Sequence, residues 1–184
     1  MIHKDMTICW MDISKNIVKE GSIDEFFRSM AFRVNYSDPS MPYIKFNQND
    51  IVKVTDWKGW TDVEYITKIS NMVSAYRIET VHGKYVICSD NQILPVYDPT
   101  KKAIGFHGES LFEFDTVRSY LIKEKDILRV RHCVDENTND IFFDEVCRVI
   151  QVDDNDEWYV MKTKHGWYNC NDIYISDLTN NEFN

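Results

Sequence analysis

Short runs in which apolar and polar side chains alternate every two residues recur along this chain, and they restrict its fold more than any other feature. Ile51-Val-Lys-Val-Thr55, Tyr76-Arg-Ile-Glu-Thr80 and Lys84-Tyr-Val-Ile-Cys88 carry the pattern. Successive side chains of a strand point to opposite faces, so such runs bury one face and wet the other. The second and third runs are joined by Val81-His82-Gly83, which reads as a tight hairpin turn, and Gly59 marks another turn in Asp56-Trp-Lys-Gly-Trp60. Further strands are expected at Ile127–Arg131, Glu145–Val152, Glu157–Thr163 and Asp172–Ser176. One helix is expected, from Ser22 to Met30. Ser22 can cap it, Glu25 stands three residues on, and Ile23, Phe26 and Phe27 share a face. The expected class is all-β with one short helix, barrel-like or sandwich-like.

Bulk properties narrow the function. The 184 residues suffice for one domain or at most two very small ones. Hydrophobic residues make up 43% and charged residues 28%, which suits a globular chain. A net charge of −9 without any dense basic stretch argues against binding nucleic acid through phosphates. No apolar run approaches the ~18 residues of a membrane span, and residues 1–12 lack the apolar stretch of a signal peptide. Cys9, Cys88, Cys133, Cys147 and Cys170 are widely spread with no C-x-x-C, so no zinc or thioredoxin-type motif arises. A reduced, cytoplasmic protein without metal or cofactor is expected. The acidic cluster Asp153–Asp156 lacks the glycine and terminal glutamate of a calcium loop and reads as a solvated hairpin turn.

Four segments, in order, resemble the sequence blocks of intein-type Hint domains. The first is Cys9-Trp-Met-Asp12, followed by a strand, Gly21 and Ser22-Ile-Asp-Glu25-Phe26. Next, Val54-Thr-Asp-Trp-Lys-Gly59-Trp60 leading to Tyr76–Thr80 is similar to the turn and strands of viral polymerase inteins. Ser89-Asp-Asn-Gln92 stands where the family has Thr-x-x-His, and Leu121–Leu128 resembles the strand that follows. His165-Gly-Trp167-Tyr168, running on to Ser176-Asp177, is similar to the closing segment. The resemblance implies a horseshoe of short strands over residues 9–177. Residues 1–8 would be a flanking segment and 178–184 a tail, with viral or phage relatives and no endonuclease insert.

The resemblance also implies a chemistry. The Cys9 thiol would attack the Ile8 carbonyl and convert the Ile8–Cys9 peptide bond into a thioester. The oxyanion needs donors and the leaving nitrogen a proton. Ser89 can donate a hydrogen bond. Gln92 can too, but it cannot deliver a proton, and Asn91 has the same limitation. His82 lies nearby as a substitute or as a solvent-facing turn residue. His165 would assist the closing step, in which a terminal Asn cyclises. Ser176 and Asp177 occupy the last two places, and an Asp carboxylate lacks the nucleophilic amide nitrogen. Asn180, Asn181 or Asn184 could end a longer closing segment. Cys170 is an alternative nucleophile, but more simply a buried small residue.

Two readings follow from the resemblance. One is autocatalytic protein splicing or partial self-processing at Ile8–Cys9, impaired by the replaced residues, with the flanking polypeptide as substrate. The other is a Hint-derived module that has lost the chemistry and binds a protein partner. A third reading discards the resemblance in favour of a small peptide-binding barrel that exposes Trp57, Trp60, Trp158 and Trp167 together.

Overall fold

In the computed structural model, every residue is described except 14–15, 48–51, 57–58, 71–72, 105–109, 132–140, 155 and 178–184. The described strands are β1 (Ile2–His3), β2 (Thr7–Asp12), β3 (Ile17–Ser22), β4 (Tyr43–Lys45) and β5 (Val52–Asp56). They continue with β6 (Gly59–Ile69), β7 (Val73–Thr80), β8 (Tyr85–Ser89), β9 (Ile93–Ile104) and β10 (Ser110–Arg118). The last five are β11 (Ile127–Arg131), β12 (Ile141–Asp154), β13 (Trp158–Thr163), β14 (Trp167–Cys170) and β15 (Ile173–Ser176). One α-helix, α1 (Ile23–Ser29), and two 3-10 turns (Ala31–Arg33, Ser119–Leu121) complete the described structure. The expected class, all-β with one short helix, is the observed one. No helix among the described residues is long and apolar enough to cross a membrane.

Local sequence explains the elements. Ser22 caps α1 through a reciprocal pair: Glu25 N donates to Ser22 Oγ (3.1 Å) and Ser22 N donates to Glu25 Oε2 (2.8 Å). Ile23, Phe26 and Phe27 of the helix are buried, as their spacing requires. In β2 burial alternates, with Ile8, Trp10 and Asp12 inward and Thr7, Cys9 and Met11 half-exposed. Gly83, at φ +80°, closes the β7–β8 hairpin in a conformation that side chains with a Cβ rarely adopt.

Among the described residues every pairing is antiparallel, and the sheet runs β10-β9-β11-β12-β7-β8-β1-β13-β6-β5-β2-β3, with β4 on β6 and β14-β15 attached through β11. Not all strands are short. β6, β9 and β12 have 11, 12 and 14 residues, and register shifts interrupt the β9–β10, β7–β12 and β6–β13 ladders. Bulges bend such long strands, and β12 extends beyond the expected Glu145–Val152 at both ends.

Residues 2–8 pack into the sheet and its core. Ile2 pairs with both Cys88 of β8 and Tyr159 of β13, so β1 lies inside the sheet. Ile2, Met6 and Ile8 are each no more than 1% exposed and belong to the main core. Thr7 N donates to Asn171 Oδ1 (2.6 Å) and Asn171 N to Thr7 O (2.8 Å), which ties the opening segment to the β14–β15 turn. The tail 178–184 lies outside the described residues. Removal of residues 1–8 is therefore expected to abolish cooperative thermal unfolding. Ile2→Ala should cost about 2–5 kcal/mol in denaturant titration, and wild-type stability for either variant would contradict this placement.

Candidate active site

The turn after β8 aims two side chains inward. Gln92 N donates to Ser89 O (3.0 Å), so residues 89 and 92, three apart, lie on one side of a tight turn. The Ser119–Leu121 turn braces it: Ser119 N donates to Gln92 O (2.8 Å) and Ser119 Oγ to Ser89 O (2.5 Å). Ser89 and Gln92 are 0% and 2% exposed. Buried polar groups need partners, and both find them in the first residue. The Met1 nitrogen donates to Ser89 Oγ (3.1 Å) and Gln92 Oε1 (2.8 Å), while Ser89 N donates to Met1 O (2.9 Å).

Gln92 has a second end. Its Nε2 donates to Ser176 O (2.8 Å), the carbonyl of the Ser176–Asp177 peptide bond. A primary amide carries both acceptor and donors, so one side chain links the residue 1 nitrogen to the end of β15.

Asp177 is held by the turn between β13 and β14. Thr163 N donates to Asp177 Oδ2 (2.8 Å) and Asp177 N donates to Gly166 O (2.9 Å). Gly166 has φ +79°, and a Cβ there would stand 3.6 Å from Asp177 Oδ1. His165, in the same turn, places Nδ1 2.5 Å from Asp56 Oδ2, and its backbone N donates to Thr61 Oγ1 (3.2 Å). Asp56 is 1% exposed, whereas the His165 side chain is 34% exposed.

Two thiols underlie this region. Burial pushes the Cys88 thiol up to about 12, against the pull of the Met1 ammonium, and burial pushes Cys170 up as well. The thiolate is the nucleophile, and burial disfavours it at both positions, each fully buried. Among the described residues no group of His, Cys, Asp and Glu is placed to hold a metal.

Cys9 is not brought to this cluster. It sits mid-strand in β2, opposite Glu20 of β3, and its neighbour Ile8 is buried. It lines an open cleft of about 950 Å³ together with Glu20, Trp60, Lys84, Tyr85 and Arg131, and none of Ser89, Gln92, His165, Ser176 and Asp177 lines that cleft. The reason is register: β1 and the turn after it place residue 1, eight positions earlier, against Ser89. Asn91 Oδ1 accepts from Arg118 Nη1 (3.2 Å) instead of facing the cluster. His82 lies in the turn at the opposite end of β8 from Ser89, with Nδ1 2.8 Å from Asp144 Oδ1. Asn180, Asn181 and Asn184 lie outside the described residues, as does Trp57. Trp158 is buried, and Trp60 and Trp167 are half-buried. Sequence reasoning missed Met1 and Asp56. Asp56 had a signal, since it opens the Trp57–Trp60 turn segment already singled out; a two-residue strand offers no periodicity to reveal Met1.

No family model and no curated protein matches the sequence. Solved structures do. An intein from a hyperthermophile superposes with TM-score 0.72 at 15% identity, covering 95% of this chain and 98% of that one. The transcription factor IIB Mvu mini-intein gives TM-score 0.72 at 12% identity, with the same two coverages. A KlbA intein precursor from Methanococcus jannaschii gives 0.65 at 16% identity, covering 100% of this chain and 94% of that one. At these identities the likeness is one of fold, and the fold is the Hint fold of inteins.

The raised Cys88 value carries a pH signature. The unfolded thiol ionises near its ordinary value of about 9 and the folded one near 12. The folded state favours the protonated form, so this contribution is complete below about pH 9 and is lost as pH rises toward 12. Melting curves from pH 8 to 11 should therefore fall less steeply for Cys88→Ala than for wild type, by up to about 1.4 kcal/mol per pH unit. Parallel slopes would contradict the burial effect.

Proposed function

We propose that this chain is a Hint-derived domain that keeps the junction geometry of a splicing domain without executing the acyl shift, and that it works as a protein-binding or structural module. The observation that carries the reading is the residue 1 nitrogen seated on Ser89 and Gln92, with Gln92 reaching on to the Ser176 carbonyl. In an intein-like site that nitrogen belongs to the first scissile bond, whatever precedes it. Residue 1 is then the nucleophile position, and methionine brings a thioether with no S–H to lose. Gln92 stands where a proton-delivering histidine is needed, and a neutral amide delivers none. Asp177 lacks the amide nitrogen for succinimide formation. Each position keeps a hydrogen-bonding group while lacking the reactive one.

An acyl shift at Ile8–Cys9 on a flanking polypeptide fits less well. It would require β2 to leave its ladder with β3 and expose Ile8, whose burial contributes about 1.5–3 kcal/mol. A polypeptide partner suits the net charge of −9 better than a nucleic acid does.

The test fuses one folded reporter ahead of Met1 and another after Asn184, followed by incubation with a thiol and intact mass spectrometry. The wild-type fusion is expected to stay whole, with Cys9→Ala indistinguishable from it. Met1→Cys combined with Gln92→His is expected to break, thiol-dependently, immediately before residue 1. Breakage before Cys9 that Cys9→Ala abolishes would overturn the proposal. A double variant that folds and stays whole would remove the junction assignment.

A further inference from the structure

Resting on the reading of this chain as a protein-binding module, we infer that the cleft beside Cys9 is a docking site for the free C-terminal carboxylate of a polypeptide partner. The cleft has about 950 Å³ and is lined by Lys84, Arg131 and Asn169 as well as by Trp60, Tyr85 and Glu20. Neither Ser89 nor Gln92 lines it, so it is separate from the cluster around the residue 1 nitrogen.

One residue of the β14–β15 turn gathers the donors. Asp172 Oδ2 accepts from Lys84 Nζ (3.0 Å), Asp172 N donates to Asn169 Oδ1 (3.1 Å), and Asp172 O accepts from Arg131 N (2.7 Å). Asn169 is only 5% exposed, and its Nδ2 has no hydrogen-bond partner among the described residues. Arg131 Nε is buried and unmet in the same way. A guanidinium presents five N–H donors and an ammonium three, and neither accepts. Within this group only Asp172 offers a carboxylate, and Lys84 already holds it. Donors are therefore in excess, and buried donors without acceptors are costly.

A carboxylate only accepts hydrogen bonds, and its two oxygens match the planar fork of a guanidinium. Two further features favour a chain terminus over a bare anion or an acidic stretch. Trp60 and Tyr85 give the cleft aromatic surface for a side chain, and Glu20 offers an acceptor to the N–H groups just before the terminus. The net charge of −9 repels a segment rich in acidic residues, whereas a terminus brings one carboxylate whatever its sequence.

The experiment passes a random pool of short peptides with free C-termini over the immobilised full chain, beside the same pool amidated at the C-terminus. Retained peptides are identified by mass spectrometry and titrated singly. Free acids are expected to bind at least about tenfold more tightly than their amides, the loss that follows from removing a charge-assisted hydrogen bond. Arg131→Gln should bring the acid down to the amide, at a melting temperature close to wild type. In the wild-type chain the Asn169 side-chain amide signal in NMR should shift on adding the acid and not the amide, a readout that needs no variant. No retention from either pool, equal binding of acids and amides, or unchanged binding in Arg131→Gln would overturn the inference. Amidated peptides retained through internal Asp or Glu would also overturn it, in favour of an acidic segment. Peptide binding does not depend on whether the reporter fusions break, so failure here and failure of the module reading show in different assays.

Discussion

The structure depends on two residues, Ile2 and His3, wedged between β8 and β13. In the sheet order this strand is the link between the half that contains β7–β12 and the half that contains β2–β6 and β13. Ile2 is fully buried, and the His3 ring packs edge-on against Trp158 at 5.4 Å between centroids. Lys4 extends the link, donating its N–H to Glu157 O and pairing its side chain with Asp156 at 2.8 Å. So short a strand has little stability of its own; its worth comes from completing ladders on both sides and filling the core at their seam. The same placement sets the residue 1 nitrogen on Ser89 and Gln92. Packing and site geometry therefore share one cause.

A buried glutamine is costly unless its amide is satisfied at both ends. Gln92 meets that condition by joining the Met1 nitrogen to the Ser176 carbonyl, and Ser119 holds the turn that presents it. A neutral amide at this point joins the two chain segments and has no acidic proton to transfer. Gln92 thus acts as a structural clasp between the two chain segments.

Much of this fold was legible in the sequence because the relevant signals are local. The Ser22–Glu25 cap, the Gly83 turn and the alternating runs at Tyr76–Thr80 and Lys84–Cys88 each depend on neighbours a few residues away. The S-x-x-Q spacing was legible for the same reason, since a single turn aims both side chains. What escaped was non-local. Cys9 drew attention through the Cys9-Trp-Met-Asp12 block, yet its strand register places Ile8 and Trp10 inward, and it is the residue 1 nitrogen that lies on Ser89 and Gln92. The Asp56–His165 contact joins residues 109 apart in sequence, and no spacing rule connects them. Strand lengths were underestimated: β12 runs from Ile141 to Asp154, beyond the expected Glu145–Val152, because its ends pair with β11 and with the start of β7, contacts that no local pattern reveals.

The central claim is that residue 1, and not Cys9, occupies the junction position. The most direct measurement is a high-resolution crystal structure of the chain with a few residues added ahead of Met1. The account predicts that the residue 1 nitrogen, now an amide, lies within about 3 Å of Gln92 Oε1, with Gln92 Nε2 on the Ser176 carbonyl and β1 between β8 and β13. Residues 1–8 detached from the sheet, with the Ile8–Cys9 peptide against Ser89 and Gln92, would contradict it.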